Sequence, residues 1–201
     1  MKSFWFLLVS FALFSCGGQN GTQKETVAVE LQRHVIALAD QTAAEKSLTP
    51  VIKAYYTLKD ALIEADSATA DRSAAQLMAL ADSLKIAELQ LDTTLAQTIE
   101  TYRGNIVAET KGLIGETDLT QKRRAFSMIS QNLLPLLKEV NYKAEPVYQQ
   151  ICPMAFNEDE TAYWLSNSNE INNPYLGKKH PKYGAGMLHC GELGDSLIFK
   201  K

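Results

Sequence analysis

From Val51 to Asn141 the chain contains a single proline, Pro135, and its apolar residues recur three and four apart. That spacing places them along one face of a helix, so the stretch can bury itself only by packing helix on helix. Ser47 or Thr49 can cap a first helix with Pro50 in its opening turn and Val51, Ile52, Tyr55, Leu58 and Leu62 inward. Asp66 and Ser67 interrupt it. A second helix presents Ala75, Met78, Ala79, Ala81 and Leu84 and ends near Ala87. A third presents Leu95, Ile99, Tyr102, Ile106 and Val107 and is expected to fray at Gly112–Gly115. Thr117 or Asp118 caps a fourth, with Phe126, Ile129, Leu133, Leu136, Leu137 and Val140 inward and a kink at Pro135. The expected fold is mainly α: an up-and-down bundle of about four helices over residues 27–143, followed by a small irregular C-terminal subdomain, 144–201. Residues 27–46 suit either a further helix or a strand-like lead-in.

The N-terminus differs in kind. Lys2 precedes an almost wholly apolar run from Phe4 to Phe14. The run is too short to cross a hydrocarbon core of about 30 Å as a helix and fits the apolar region of a secretory signal. It ends in Leu13-Phe14-Ser15-Cys16-Gly17, which resembles a bacterial lipobox. Residues 1–15 are therefore read as a signal peptide, Cys16 as the lipidated residue, and 16–26 as the lipid-bearing cysteine and a polar, glycine-rich tether. The alternative is an ordinary signal peptide with Cys16 incidental. The lipid reading places the protein in the bacterial cell envelope, membrane-anchored, facing the periplasm or the cell surface. No later segment is apolar enough to span a bilayer. A net charge of −3 without a basic stripe argues against nucleic acid as a partner.

The helical region carries little chemistry of its own. It has no Glu-x-x-His pair of the kind that builds carboxylate-bridged metal sites. His34 reads as a surface or capping residue, and Met78 and Met128 as core fillers. Asp60, Glu64, Asp66, Glu88 and Glu100 read as solvated faces, and Lys122-Arg123-Arg124 as a solvent-exposed basic run. The bundle is a scaffold on this reading.

The unusual residues gather after Ala144. Pro146, Pro153, Pro174 and Pro181 lie there, with Trp164, four tyrosines, His180, His189 and the other two cysteines. Pro153 biases Cys152 to an extended conformation, in which residues i and i+2 face one side, so Cys152 and Met154 point together. Met187 and Cys190 are three apart, and a tight turn would join them. Two sulfur pairs on two segments suit a soft ion, Cu(I) before hard cations, with His189 as a reserve ligand and His180 as another substitute. A set of two cysteines with histidine would suit zinc instead. Two other readings stay open: a Cys152–Cys190 disulfide closing the tail of an exported protein, and a nucleophilic cysteine, disfavoured because no histidine–acid pairing is evident.

The words Tyr56-Thr57-Leu58-Lys59-Asp60-Ala61-Leu62, Cys152-Pro153-Met154-Ala155, Trp164-Leu165-Ser166, Asn173-Pro174-Tyr175-Leu176-Gly177 and Met187-Leu188-His189-Cys190-Gly191 together resemble the DUF3347 family over about residues 48–193. Members occur in bacterial envelope proteins and appended to periplasmic adaptors of heavy-metal efflux pumps. The resemblance implies an association with copper or heavy-metal handling, and with an efflux adaptor as partner. This sequence departs from the pattern in the insertion from Lys178 to Gly186, which brings His180.

Two functional expectations follow. The first is a binding protein whose tail captures Cu(I) through Cys152, Met154, Met187 and Cys190, with Trp164 packed beside the site, for sequestration or hand-over to an efflux system. The second is an interaction module of an envelope complex whose tail is closed by a disulfide. Neither is an enzyme.

Overall fold

The computed structural model describes residues 43–89 and 91–197. The signal peptide, Cys16, the tether, His34 and most of the 27–46 lead-in lie outside the described residues. Four α-helices and a three-stranded sheet lie within them. No helix among the described residues is long and apolar enough to cross a membrane.

Helix α1 occupies residues 43–63 and is already helical at residue 43, upstream of the expected cap. Thr49 is not a cap: its hydroxyl donates back to the Glu45 carbonyl (2.7 Å) and shares a hydrogen bond with the Tyr142 hydroxyl (2.9 Å). Pro50 is exposed inside the helix rather than at its start. The helix ends with Ala65 in the left-handed region (φ 55°), where Ala65 N–H reaches the Leu62 carbonyl and Asp66 N–H the Ala61 carbonyl. That is a Schellman closure built without glycine.

Asp66 then starts α2 (Ser67–Asp82), its side chain accepting from Thr69 N–H at 3.0 Å. The buried face is Ala70, Ser73, Ala74, Leu77 and Ala81, whereas Ala75 and Ala79 are exposed. The expected face was rotated because alanines occupy both sides of this helix and cannot orient it. A 3₁₀ turn (Ile86–Leu89) leads to α3 (Thr93–Gly115), capped by Asp92. This helix stays regular through Gly112 and stops at Gly115.

Helix α4 (Leu119–Glu139) is capped by Asp118 and continues across Pro135. All six residues expected inward, from Phe126 to Val140, are buried. Asn141 (φ 53°) closes it with a second Schellman pair, Asn141 N–H to Lys138 and Tyr142 N–H to Leu137. Consecutive helices pack on one another, α2 on α3 and α3 on α4.

The basic run is not solvent-exposed as expected. Lys122 and Arg123 are only 1% and 3% exposed, because they stand one turn before Phe126 and Ser127 on the buried stripe of α4. Lys122 forms an ion pair with Asp71 and donates to the Leu113 carbonyl (3.1 Å). Arg123 donates from Nη2 to the Leu62 carbonyl (3.0 Å). Arg124 lies over the Phe156 ring and pairs with Glu160 at 2.7 Å. Met128 sits off the stripe and is 42% exposed, so it is not a core filler.

The tail expected to be irregular holds strands β1 (Tyr148–Phe156), β2 (Glu160–Ser166) and β3 (Glu192–Leu193), in the order β2-β1-β3, all antiparallel. Register runs from Tyr148↔Ser166 to Cys152↔Ala162, then breaks in a bulge before Phe156↔Glu160. Strand β3 meets β1 at Gln150↔Leu193 and Ile151↔Glu192. The sheet shares the helical core. Tyr55, fully buried on α1, bonds Ser130 of α4 through its hydroxyl (2.7 Å), accepts the Leu165 N–H of β2 (3.0 Å) and stacks on Phe126 with ring centroids 4.8 Å apart. Tyr175 continues this aromatic chain to Phe156 and Trp164.

Candidate functional site

Cys152 lies in the central strand β1 and is fully buried. Cys190 arrives from the loop before β3 and is half-buried. Their sulfurs are 3.4 Å apart and not bonded to each other. Thus the fold brings together two cysteines that are 38 residues apart in sequence.

Three local devices hold Cys190 there. Its N–H donates to the Met187 carbonyl (3.0 Å), so the turn expected between these two residues is formed. Its carbonyl accepts from the Asn173 side-chain amide (2.8 Å). Asn173 is fully buried, and its Oδ1 also accepts the N–H groups of Tyr175 (2.8 Å) and Leu176 (3.1 Å). The Asn-Pro-Tyr word is therefore a side-chain-closed turn that also clamps the cysteine segment. Finally, Gly191 (φ 149°) brings the chain against β1. A Cβ at Gly191 would lie 2.8 Å from the Ile151 carbonyl oxygen and 3.1 Å from the Trp164 ring, so no other residue fits without displacement. Trp164 is itself fully buried at this point and covers the site's flank.

Burial, and then the hydrogen bond and charge of Cys152, push the Cys190 thiol up to about 11. Cys190 is therefore a protonated thiol at neutral pH, and an ion binding its sulfur must displace that proton.

The remaining expected ligands are spread around the pair. Met187 stands at the other end of the Cys190 turn and packs against the core. Met154 is half-buried and lines a cavity with Phe156 and His180. His189 is exposed, with Nδ1 2.7 Å from the Ile171 carbonyl oxygen. A carbonyl only accepts, so Nδ1 carries the proton and Nε2 keeps the lone pair in the neutral ring. His180 stacks on Tyr183 in the inserted segment. No group of three or more His, Cys, Asp or Glu side chains is placed to hold a metal among the described residues. Of the expected donors, the thioethers of Met154 and Met187 and the His189 ring are what the chain could offer beside the two thiols.

The sulfur spacing limits the geometry. With metal–sulfur distances of about 2.3 Å, an ion touching both sulfurs at their present separation would see them at an angle of roughly 95°. A linear two-coordinate ion would need them about 4.6 Å apart on the same distances. The pair as placed suits two legs of a bent, three- or four-coordinate site. Opening the angle further is a matter for Cys190, which sits in a loop, rather than Cys152, which is held in the central strand.

Fold and site define a helical bundle closed by a small antiparallel sheet that carries a dithiol at its junction with a loop. Residues 51–145 match the family model described as Protein of unknown function (DUF3347). The helical region is thus similar to this family. The match ends before Cys152, so the Cys-Pro-Met and Met-x-x-Cys-Gly words lie outside it. No curated protein and no solved structure matches the chain.

Asn173 and Arg123 escaped the sequence reading. Asn-x-aromatic after a loop is a signal for a side-chain-closed turn and was available for Asn173. Arg123 had no such signal, because a basic triplet ordinarily marks a solvated surface.

Proposed function

We propose that this chain is a bacterial envelope lipoprotein, anchored through Cys16, that binds a soft metal ion, Cu(I), on Cys152 and Cys190. The single observation behind this reading is two unbonded sulfurs 3.4 Å apart, one buried in a strand and the other on a loop. Thiolates prefer Cu(I) to hard cations, and zinc is the alternative ion. Met187, on the turn that positions Cys190, and Met154, two residues along β1 from Cys152, are the candidate thioethers, with His189 as a further donor. Trp164 and Gly191 exclude water from one side. The half-exposed Cys190 gives an ion a route in and out, which suits sequestration or hand-over to a heavy-metal efflux adaptor. On this reading the protein binds and does not catalyse.

The same sulfur spacing also favours a second reading, in which oxidation closes a Cys152–Cys190 disulfide and the protein is an interaction module of an envelope complex. An anaerobic Cu(I) titration against a competing chelator separates the two, run on the wild type and on Cys152→Ser/Cys190→Ser. Tight one-to-one binding that the double variant loses supports the metal site. Equal, weak binding by both sinks it, and the absence of free thiols until a reductant is added then favours the disulfide.

A further inference from the structure

A second site lies beside the tail, with neither thiol among the residues that line it. A cavity of about 220 Å³ opens between the start of α4, the bulge of β1 and the inserted segment around His180. Arg123 lines it. This guanidinium is only 3% exposed, and its hydrogen bond is to a neutral group, the Leu62 carbonyl. Its Nε is buried with no partner, and no carboxylate forms an ion pair with it among the described residues. Asp118 acts on it only through space, and burial depresses its pKa to about 10.

The other charges around the cavity are already met. Arg124 is paired with Glu160, and Glu158 with Lys182 and the Tyr183 hydroxyl. His180 adds a neutral donor: its Nδ1 accepts the N–H groups of Lys182 (3.2 Å) and Tyr183 (3.4 Å), which leaves the ring proton on Nε2. One wall is aromatic, formed by Phe156 and Tyr175. The cavity thus combines one unbalanced buried cation, a further donor and an apolar surface. A buried charge without a counter-ion is costly, and an anion entering here would relieve that cost. The planar guanidinium matches a carboxylate, and the aromatic wall matches an apolar body attached to it.

We propose that this cavity binds a small organic carboxylate, with its anionic group on Arg123 and its apolar body against Phe156 and Tyr175. The test is calorimetric titration of the full-length chain with benzoate as the probe, beside inorganic phosphate and chloride. Thr120→Trp fills the cavity from its exposed rim and leaves Arg123 in place; Arg123→Gln removes the charge. Saturable benzoate binding is expected in the wild type, weakened at least about tenfold in both variants. Cys152→Ser/Cys190→Ser should bind benzoate as the wild type does, which separates this site from the metal reading. If Arg123→Gln fails to fold, Thr120→Trp alone decides. Benzoate binding unchanged in Thr120→Trp, no saturable binding in the wild type, or phosphate binding in place of benzoate would each overturn the proposal.

Discussion

Lys122 and Arg123 are adjacent, both buried, and differ in how their charge is met. Lys122 has Asp71 and the Leu113 carbonyl, whereas Arg123 has one neutral carbonyl and an unpartnered Nε. Replacing each with methionine should separate them. Lys122→Met takes one donor from the Leu113 carbonyl, which keeps the Glu116 N–H, and leaves the half-exposed Asp71 carboxylate without its cation, and should cost about 2 kcal/mol in urea denaturation. Arg123→Met removes a charge that nothing balances, and should be near neutral or stabilising. A large loss in the second variant would show that the guanidinium is better satisfied than its contacts indicate. The thiol pair gives a pH test at the same scale. Burial first, and then Cys152, raise the Cys190 thiol to about 11, so the reactive thiolate is scarce at neutral pH and accumulates as pH approaches that value. Alkylation of Cys190 should therefore accelerate through the alkaline range, and Cys152→Ser should move that rise to lower pH. The two cysteines were legible in the sequence, because each stands in a word of proline, methionine or glycine that an ordinary core position does not need. Their meeting was expected on the metal and the disulfide readings alike; the means of it was not legible, since it depends on the Asn173 clamp and on strand register.

At the scale of elements, the ends of helices are where sequence and structure agree and disagree most usefully. Asp118 was readable as a cap because a short polar residue precedes a strongly periodic helix. The start of α1 was not, because Thr49 and Pro50 mimic a beginning while the chain is already helical. Thr49 is used instead to bond Tyr142 beyond the end of α4. The α1 terminus offers a prediction. Ala65 holds φ 55°, which costs an L-residue with a Cβ about 1–2 kcal/mol, partly offset by the greater backbone entropy that glycine loses. Ala65→Gly should raise stability by about 0.5–1 kcal/mol, read as a higher urea midpoint with an unchanged slope. Asp66 next to it gives a pH-dependent counterpart. Hydrogen bonds from the Thr69 hydroxyl and N–H hold its carboxyl below its ordinary 3.8. A carboxyl depressed on folding stabilises above its unfolded value and loses that contribution as pH falls through the folded one. Asp66→Ala should thus lower the midpoint at neutral pH, and the gap should close below about pH 3.8. A gap that stays constant down to pH 2 would mean that the cap's charge is irrelevant.

At the scale of the whole molecule, the family match and the core have different boundaries. The match stops at residue 145, but the core does not. Tyr55 on α1 bonds both Ser130 of α4 and the Leu165 N–H of β2. Phe126 contacts Tyr175 of the tail, Lys178 N–H reaches the Ile63 carbonyl, and Gly177 sits so close to the Leu62 and Ile63 carbonyls and to Arg123 that a Cβ there would collide. The sequence suggested a bundle with an appendage because helical periodicity ends where the prolines begin, but periodicity reports local structure and says nothing about which faces meet. If the sheet is the lid of the bundle's core, a chain ending at residue 145 should leave Tyr55, Phe126 and Leu137 uncovered. Such a chain should bind a hydrophobic dye, lose its near-ultraviolet circular dichroism and unfold without a sharp transition. In the full-length protein the two parts should unfold together. Trp164 reports the sheet and far-ultraviolet circular dichroism reports the helices, so in a Trp5→Phe background the two urea transitions should coincide. Separate transitions, with the helical signal surviving loss of the Trp164 signal, would mean that the bundle stands alone. The thiol site would then sit on an independent unit, able to change conformation with metal or oxidation while the helices stay folded.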